Sequence, residues 1–287
     1  MNVIITNPLN LKELKKELKE EGSEKIHVLS DFDKTLTCAF VDGEKTPSLI
    51  SILRDGNYLT PDYAEKAHAL FDKYHPIEID PGISLEEKKK AMHEWWKTHF
   101  DLLIKCGLKK KDIEDVVNSN KVKFRESALE LINLLYKNNI PLVIISSSGL
   151  GKYALELLLK KHNSLYDNVY IISNDYIWDE NGKAIDVKEP IIHCMNKDET
   201  VLDEFPFYKE IEKRRNVVLL GDSLADIDMV QGFDYKHLLK IGFLNEKVEE
   251  LLPEYKKRFD VIIPNDGSMG FVLELMREIL SQPKPSQ

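Results

Sequence analysis

The sequence predicts an α/β protein built on a doubly wound parallel sheet with an inserted helical cap, and two observations carry that reading. Short apolar runs recur along the chain, end in polar or glycine-containing residues, and are each followed by a helical pattern. Their hydrophobicity is continuous rather than alternating, as in strands covered on both faces by helices. Between the first predicted strand and the second, moreover, lie more than a hundred residues. An ordinary crossover is far shorter.

The strands, in order, are Ile26 to Leu29 before Ser30 and Asp31, Leu142 to Ile145 before Ser-Ser-Ser-Gly, Val169 to Ile172 before Ser173 and Asn174, and Val217 to Leu220 before Gly-Asp-Ser. Weaker runs follow at Leu238 to Phe243 and Val261 to Ile263. Helical patterns with caps or glycine breaks cover Ser127 to Asn138, Leu150 to Lys161, Phe205 to Arg215, Ala225 to Gln231, Glu246 to Leu252 and Met269 to Ser281. The long interval holds further helices at Pro61 to Tyr74, Leu85 to Cys106 and Lys109 to Ser119. This divides the chain into a core of residues 1–40 and 121–287 and a helical cap of residues 41–120. Asn181 and Gly182, between short apolar stretches from Tyr176 to Ile185, signal a β-hairpin. The Lys/Glu-rich segment near the N-terminus reads as a solvated helix face, with a partner helix as the alternative, and the tail SQPKPSQ as a frayed end.

Composition bounds the function. A chain of 287 residues, 43% hydrophobic and 31% charged, is globular and can bury a real core. Forty Lys plus Arg against 49 Asp plus Glu give a formal charge of −9. That disfavours a nucleic-acid polymer as partner, and an anionic substrate must be met by a local exception. The three cysteines, Cys38, Cys106 and Cys194, have no CxxC spacing, so neither a disulfide framework nor a zinc site is expected, and a cytoplasmic location fits. The first twenty residues lack the pattern of a signal peptide, and no run approaches a membrane span.

Ligands of open α/β sheets collect at the carboxyl ends of the strands. There the first strand runs into DFDKTLT, with Asp31 at its tip and Asp33 just beyond. Alone, an Asp-x-Asp also fits an acidic turn or a helix cap. The second strand runs into Ser147, Ser148 and Gly149 before a helix, an anion site in form, although an ordinary serine cap reads the same. Asp222 and Asp226 flank the start of a later helix, where acids favour the positive end of the dipole, and Lys197 by default is a solvated charge. Jointly the pattern says more. Four carboxylates at one sheet edge repel unless a cation joins them, and hard oxygen ligands suit Mg²⁺. Hydroxyls, a helix N-terminus and a lysine beside that metal describe phosphoryl transfer through an aspartyl-phosphate.

DFDKTLT, the Ser147 strand end, Lys197 and GDSLAD, in that order, resemble the four motifs of the haloacid dehalogenase superfamily of phosphatases, whose core is a Rossmann-like parallel sheet. YHPIEIDP, HEWWKTH, SSSGLG, SNDYIWDENG, HCMNKD, LLGDSLADIDM and LLKIGFLN narrow the resemblance to the cytosolic pyrimidine 5′-nucleotidases of the nucleotidase III type, across nearly the whole chain. The resemblance implies Asp31 as nucleophile and Asp33 as the acid that protonates the leaving ribose oxygen and then activates water. It implies Mg²⁺ held by Asp31, the Asp33 carbonyl and Asp222 with Asp226 in support, and phosphate gripped by Ser147, Ser148, Gly149 and Lys197. In the cap it assigns the nucleobase to Glu78 and Trp96, with Thr98 and His99 nearby.

The expected activity is therefore Mg²⁺-dependent hydrolysis of nucleoside 5′-monophosphates by a monomer that binds no membrane. UMP and CMP are the preferred substrates, and 7-methyl-GMP is added by the stacking face of Trp96 and the carboxylate of Glu78. Trp96 stands where the family commonly has tyrosine, Thr98 where it has serine, and Ser148 where it has a small apolar residue. Of the adjacent tryptophans, Trp95 is expected in the cap core and Trp96 at the ligand, since a helical step of about 100° separates them. Ile77 and Ile79 are expected to be buried, turning Glu78 elsewhere. The alternatives are a phosphatase for another small phosphomonoester, such as phosphoserine, and a non-catalytic nucleotide-binding protein.

Overall fold

Strands apolar on both faces need a helical layer on each side, and this chain supplies both. The computed structural model describes residues 3–197, 205, 207–232 and 234–281. The chain enters through β1 (Ile4–Ile5) and α1 (Pro8–Glu21) and then forms β2 (Ile26–Ser30). The insertion follows as the hairpin β3 (Phe40–Val41) and β4 (Glu44–Lys45), then α2 (Leu49–Asp55), α3 (Tyr63–Ile79), α4 (Leu85–Lys105) and α5 (Lys110–Asn118). Next come α6 (Ala128–Lys137), β5 (Leu142–Ser146), α7 (Gly151–Lys161), β6 (Val169–Ser173) and the hairpin β7 (Tyr176–Trp178) and β8 (Ala184–Val187). The chain closes with α8 (Tyr208–Ile211), β9 (Asn216–Gly221), a 3-10 segment over Leu224–Gly232, β10 (His237–Leu244), α9 (Val248–Arg258), β11 (Val261–Pro264) and α10 (Gly270–Leu280).

The main sheet has the order β1-β11-β10-β9-β2-β5-β6. Its strands are parallel except β1, which pairs antiparallel with β11. From β2 the chain moves outward to β5 and β6, then crosses back to β9 and moves outward the other way. The order therefore reverses between β2 and β9, the position at which open α/β sheets form their binding crevice at the strands' carboxyl ends. Alternate strand residues feed opposite layers. Val28, Ile144 and Leu220 join one apolar cluster, while Leu29, Val143 and Leu219 join another on the far face. Burying each such side chain contributes roughly 1.5–3 kcal/mol. The insertion is welded to the first layer, since Leu53, Tyr63, Phe100, Leu103 and Ile113 belong to the same cluster as Val28 and Ile144.

Several elements depart from the sequence expectations. The two-residue β1 is too short to show periodicity, and the β3–β4 hairpin turns on Asp42 and Gly43 at φ 54° and 85°, a Asp-Gly signal that the sequence reading passed over. Helix α3 runs through Pro76 to Ile79. The carbonyl left without its donor belongs to Asp72, an exposed residue that water can serve. Because that segment is helical, alternation does not apply, and Ile79 is 64% exposed rather than buried. Helix α9 likewise runs through Pro253 to Arg258, held by Tyr255 and Phe259 packed with Leu244 and Ile262. The helix expected over Phe205 to Arg215 shrinks to α8, with Arg214 turned to donate to the carbonyls of Ser23 and Ile26. The expected helix at Ala225 to Gln231 is the 3-10 segment. All but the first residue of the SQPKPSQ tail lies outside the described residues.

Candidate active site

The backbone N–H of Asp31 donates to the Leu220 carbonyl at 3.0 Å, which fixes the tip of β2 beside the end of β9. Asp31 is 4% exposed, and its Oδ1 accepts from Lys197 Nζ at 2.5 Å. The same ammonium reaches Asp226 Oδ1 at 2.9 Å. Asp226 Oδ2 accepts from the backbone N–H groups of Asp222 and Ser223 at 3.0 and 2.9 Å. One carboxylate thus shapes the turn after β9 and aims the lysine. Gly221 permits this approach, because a Cβ there would lie 2.5 Å from that of Asp226.

Carboxylate oxygens of Asp31, Asp222 and Asp226 all lie within 4.8 Å of one another. One ammonium cannot balance three carboxylates. Burial pushes the Asp31 carboxyl up to about 7, with Lys197 opposing and Asp226 and Asp33 adding to the rise. Asp222 is raised by burial and then by Asp31 and Asp226. Burial alone would lower Lys197, but Asp226 and Asp31 reverse that and keep it charged. Asp31 Oδ2, buried, has no hydrogen-bond partner. An orphaned carboxylate oxygen amid excess negative charge fits a hard divalent cation. Asp31 and Asp222 are the free donors of the trio, since both oxygens of Asp226 are engaged.

Two neighbouring loops are tied to this tip. Ser147, half-buried, follows β5, which pairs with β2. Ser148 N–H donates to Ser146 Oγ at 3.2 Å, and Tyr176 OH donates to the Gly149 carbonyl at 2.6 Å. Asn174, at the end of β6, joins this loop to the one carrying Lys197. Its Nδ2 donates to the carbonyls of Ser148 and Ile192 at 3.3 and 2.9 Å, and its Oδ1 accepts from Ile192 N–H at 2.9 Å. Asp33 is half-buried, and burial raises its carboxyl against the pull of Lys197 and Lys34.

The insertion forms the opposite wall. Trp96 lies over the Ser147–Gly149 loop so closely that a Cβ on Gly149 would come within 2.8 Å of its ring. Trp95 and Trp96 meet different neighbours: Trp95 lies against Phe71 and Tyr74 of α3, and Trp96 against His99 and Phe100 of its own helix and Gly149 of the core. The two indole rings are tilted by 20° at 6.2 Å, and the stack continues to Tyr74 on one side and His99 on the other. Neither indole is fully buried. Glu78 bridges insertion and core: Oε2 pairs with His75 Nδ1 at 3.0 Å, and Oε1 accepts from Cys194 Sγ at 3.0 Å. Burial, then Glu78, pushes the Cys194 thiol up, so it remains a donor.

Residues 34–280 match the pyrimidine 5′-nucleotidase (UMPH-1) family. The chain belongs to this family. It is 36% identical over 266 residues to the 7-methylguanosine phosphate-specific 5′-nucleotidase of Gallus gallus, covering 92% of this chain and 91% of that one. The crystal structure of cytosolic 5′-nucleotidase IIIB bound to cytidine superposes with a TM-score of 0.87 at 28% identity, covering 96% of this chain and 93% of that chain. A phosphoserine phosphatase captured as a phospho-aspartyl intermediate analogue, at TM-score 0.51 and 20% identity over 87% of this chain and 97% of that chain, shares the haloacid dehalogenase-like fold.

Within this nucleotidase fold, residues far apart in sequence meet: Asp31, Lys197, Asp222 and Asp226 share one cluster, and Trp96 packs against Gly149 in the loop after β5 that also carries Ser147. Thr98 stands apart. It is exposed, and its hydroxyl donates to the Glu94 carbonyl of its own helix at 2.7 Å. His99 is buried behind Trp96 with Nε2 3.0 Å from Tyr63 OH, and burial pushes it down to about 4. The sequence reading missed Asn174 and Arg125. Asn174 carried a faint signal as a polar residue just past a strand end. Arg125 carried none.

Proposed function

We propose that this nucleotidase hydrolyses nucleoside 5′-monophosphates with pyrimidine or 7-methylguanine bases, using Mg²⁺ and an aspartyl-phosphate on Asp31. The observation that carries the reading is the Asp31 carboxylate itself, with one oxygen on Lys197 and the other buried and unpartnered among acids. Asp31, Asp222 and the Asp33 carbonyl would hold the cation, which when bound offsets the carboxylates' repulsion and the charge on the phosphoryl group.

Asp31 attacks phosphorus in line, forming an Asp31 O–P bond as the P–O5′ bond breaks, and Asp33 gives its proton to O5′. The burial-raised Asp33 carboxyl suits that donor role. Asp33 then takes a proton from water as the water oxygen attacks phosphorus, which frees phosphate and restores Asp31. Lys197, Ser147 and the N–H groups of the Ser148–Gly149 loop hold the spreading negative charge. Trp96 offers a stacking face and Glu78 an acceptor for base N–H groups, a pair that favours an electron-poor, cationic base such as 7-methylguanine as well as cytosine. Cys38, Cys106 and Cys194 are free thiols, which supports a reducing, cytoplasmic setting.

Phosphate release from CMP, UMP, 7-methyl-GMP, AMP, GMP and phosphoserine, with Mg²⁺ and with EDTA, tests the reading. The first three should turn over fastest and stop on chelation. Equal rates on AMP and GMP would remove base selection, and full activity in EDTA would remove the metal.

A further inference from the structure

Arg125, 2% exposed, is the largest fully buried side chain among the described residues. A cation so deep needs every donor satisfied, and the five N–H groups have five acceptors. Nε donates to the Thr35 carbonyl at 2.9 Å, and Nη2 to the Lys34 carbonyl at 2.5 Å and Asn245 Oδ1 at 3.0 Å. Nη1 donates to the Gly267 carbonyl at 2.6 Å and pairs with Asp266 Oδ1 at 2.9 Å. Lys34 and Thr35 directly follow Asp33.

Lys34 has φ 60°, the left-handed region that a side chain disfavours. Its carbonyl is gripped a second time by Asn245 Nδ2 at 3.0 Å, and its N–H donates to Thr37 Oγ1 at 2.9 Å. Asp266 holds the far end of the same loop, accepting from Ala39 and Phe40 N–H at 2.9 Å each. A strained turn persists only where its surroundings over-determine it. Here the over-determination falls on the two residues after the proposed acid. We propose that Arg125, seconded by Asn245, is a positioning residue for Asp33: by pinning the left-handed turn at Lys34 it aims the carboxyl at the leaving oxygen. The proposal rests on Asp33 serving as the general acid. Arginine is required because a lysine, with three donors on one atom, cannot span both carbonyls and Asp266.

The test is kcat/KM over a series of aryl phosphates of graded phenol pKa and one nucleoside 5′-phosphate, for the native enzyme, Asp33→Asn, Arg125→Met and Asn245→Ala. That parameter reports phosphorylation of Asp31, the step in which the leaving group needs its proton. Asp33→Asn should lose most on poor leaving groups and least on 2,4-dinitrophenyl phosphate. Arg125→Met and Asn245→Ala should tilt the same way, with about a ten- to hundredfold loss on the nucleotide and less than about threefold on the dinitrophenyl ester. If Arg125→Met fails to fold by circular dichroism, Asn245→Ala carries the test. Equal losses across the series for the Arg125 and Asn245 variants, beside a tilted Asp33→Asn, would overturn the positioning role. A flat Asp33→Asn profile would instead remove the acid on which the proposal rests, and the proposal with it.

Discussion

The two walls of the crevice are built on different principles. On the sheet side, Asp31, Lys197 and Asp226 are each under a tenth exposed and joined through the Lys197 ammonium, with Asp31 at the tip of a strand that pairs in register on both sides. On the insertion side, Trp96 and Glu78 sit on helices, half-exposed, with Glu78 touching the core through one thiol. A group that must meet phosphorus within fractions of an ångström belongs on the rigid wall. Groups that only choose among bases can tolerate the looser one. Rate and preference should therefore be separable by mutation.

The largest break should come from Lys197→Met. Removing the single ammonium leaves Asp31 and Asp226 buried without their counter-ion, a loss of about 3 kcal/mol or more. Denaturant midpoint and kcat should both fall, kcat by at least about a hundredfold. A variant as stable and as active as the native enzyme would show that the sheet-side cluster is not electrostatically strained.

A second test titrates both walls. His27 on β2 and His99 on α4 are each pushed down to about 4, chiefly by burial. The fold thus favours their neutral forms, and the stabilisation is complete above the unfolded value of about 6.5. It is lost as pH falls from there through about 4, by up to about 3 kcal/mol for each histidine. Unfolding free energies at pH 7, 5.5 and 4.5 should decline less steeply in His27→Gln and in His99→Gln than in the native protein. Superimposable curves would mean that neither histidine is held neutral.

The smallest effect, and the one that most sharpens the contrast, is expected from Glu78→Gln and Trp96→Ala. KM for the preferred nucleotide should rise about tenfold while kcat changes by less than about threefold, compressing the differences among bases. A fall in kcat at constant KM would place the insertion in the chemistry and dissolve the distinction.

The same division governs what could be read from the amino acids alone. Strands buried on both faces announce themselves by continuous apolar runs, so the parallel sheet and the acids at its tips were legible, Asp31 and Asp222 above all. The insertion was legible as helices but not in detail. The helical pattern that reads as ending at Tyr74 runs on through Pro76 to Ile79, because the carbonyl deprived of its donor belongs to exposed Asp72, and Ile79 is left exposed rather than buried. Asn174 showed only as a polar residue just past a strand end, and Arg125 could not be found in sequence at all, because it matters only through acceptors that tertiary folding brings to it. A lone arginine in KVKFRES looks like any surface cation until five acceptors surround it.

The most direct measurement is chemical trapping during turnover. The enzyme is quenched while hydrolysing CMP or 7-methyl-GMP with Mg²⁺, any acyl phosphate is reduced with borohydride, and the peptides are read by mass spectrometry. The account predicts reduction at Asp31 alone, dependent on both substrate and metal. An unmodified Asp31 under steady turnover, or a label on another carboxylate, would contradict it.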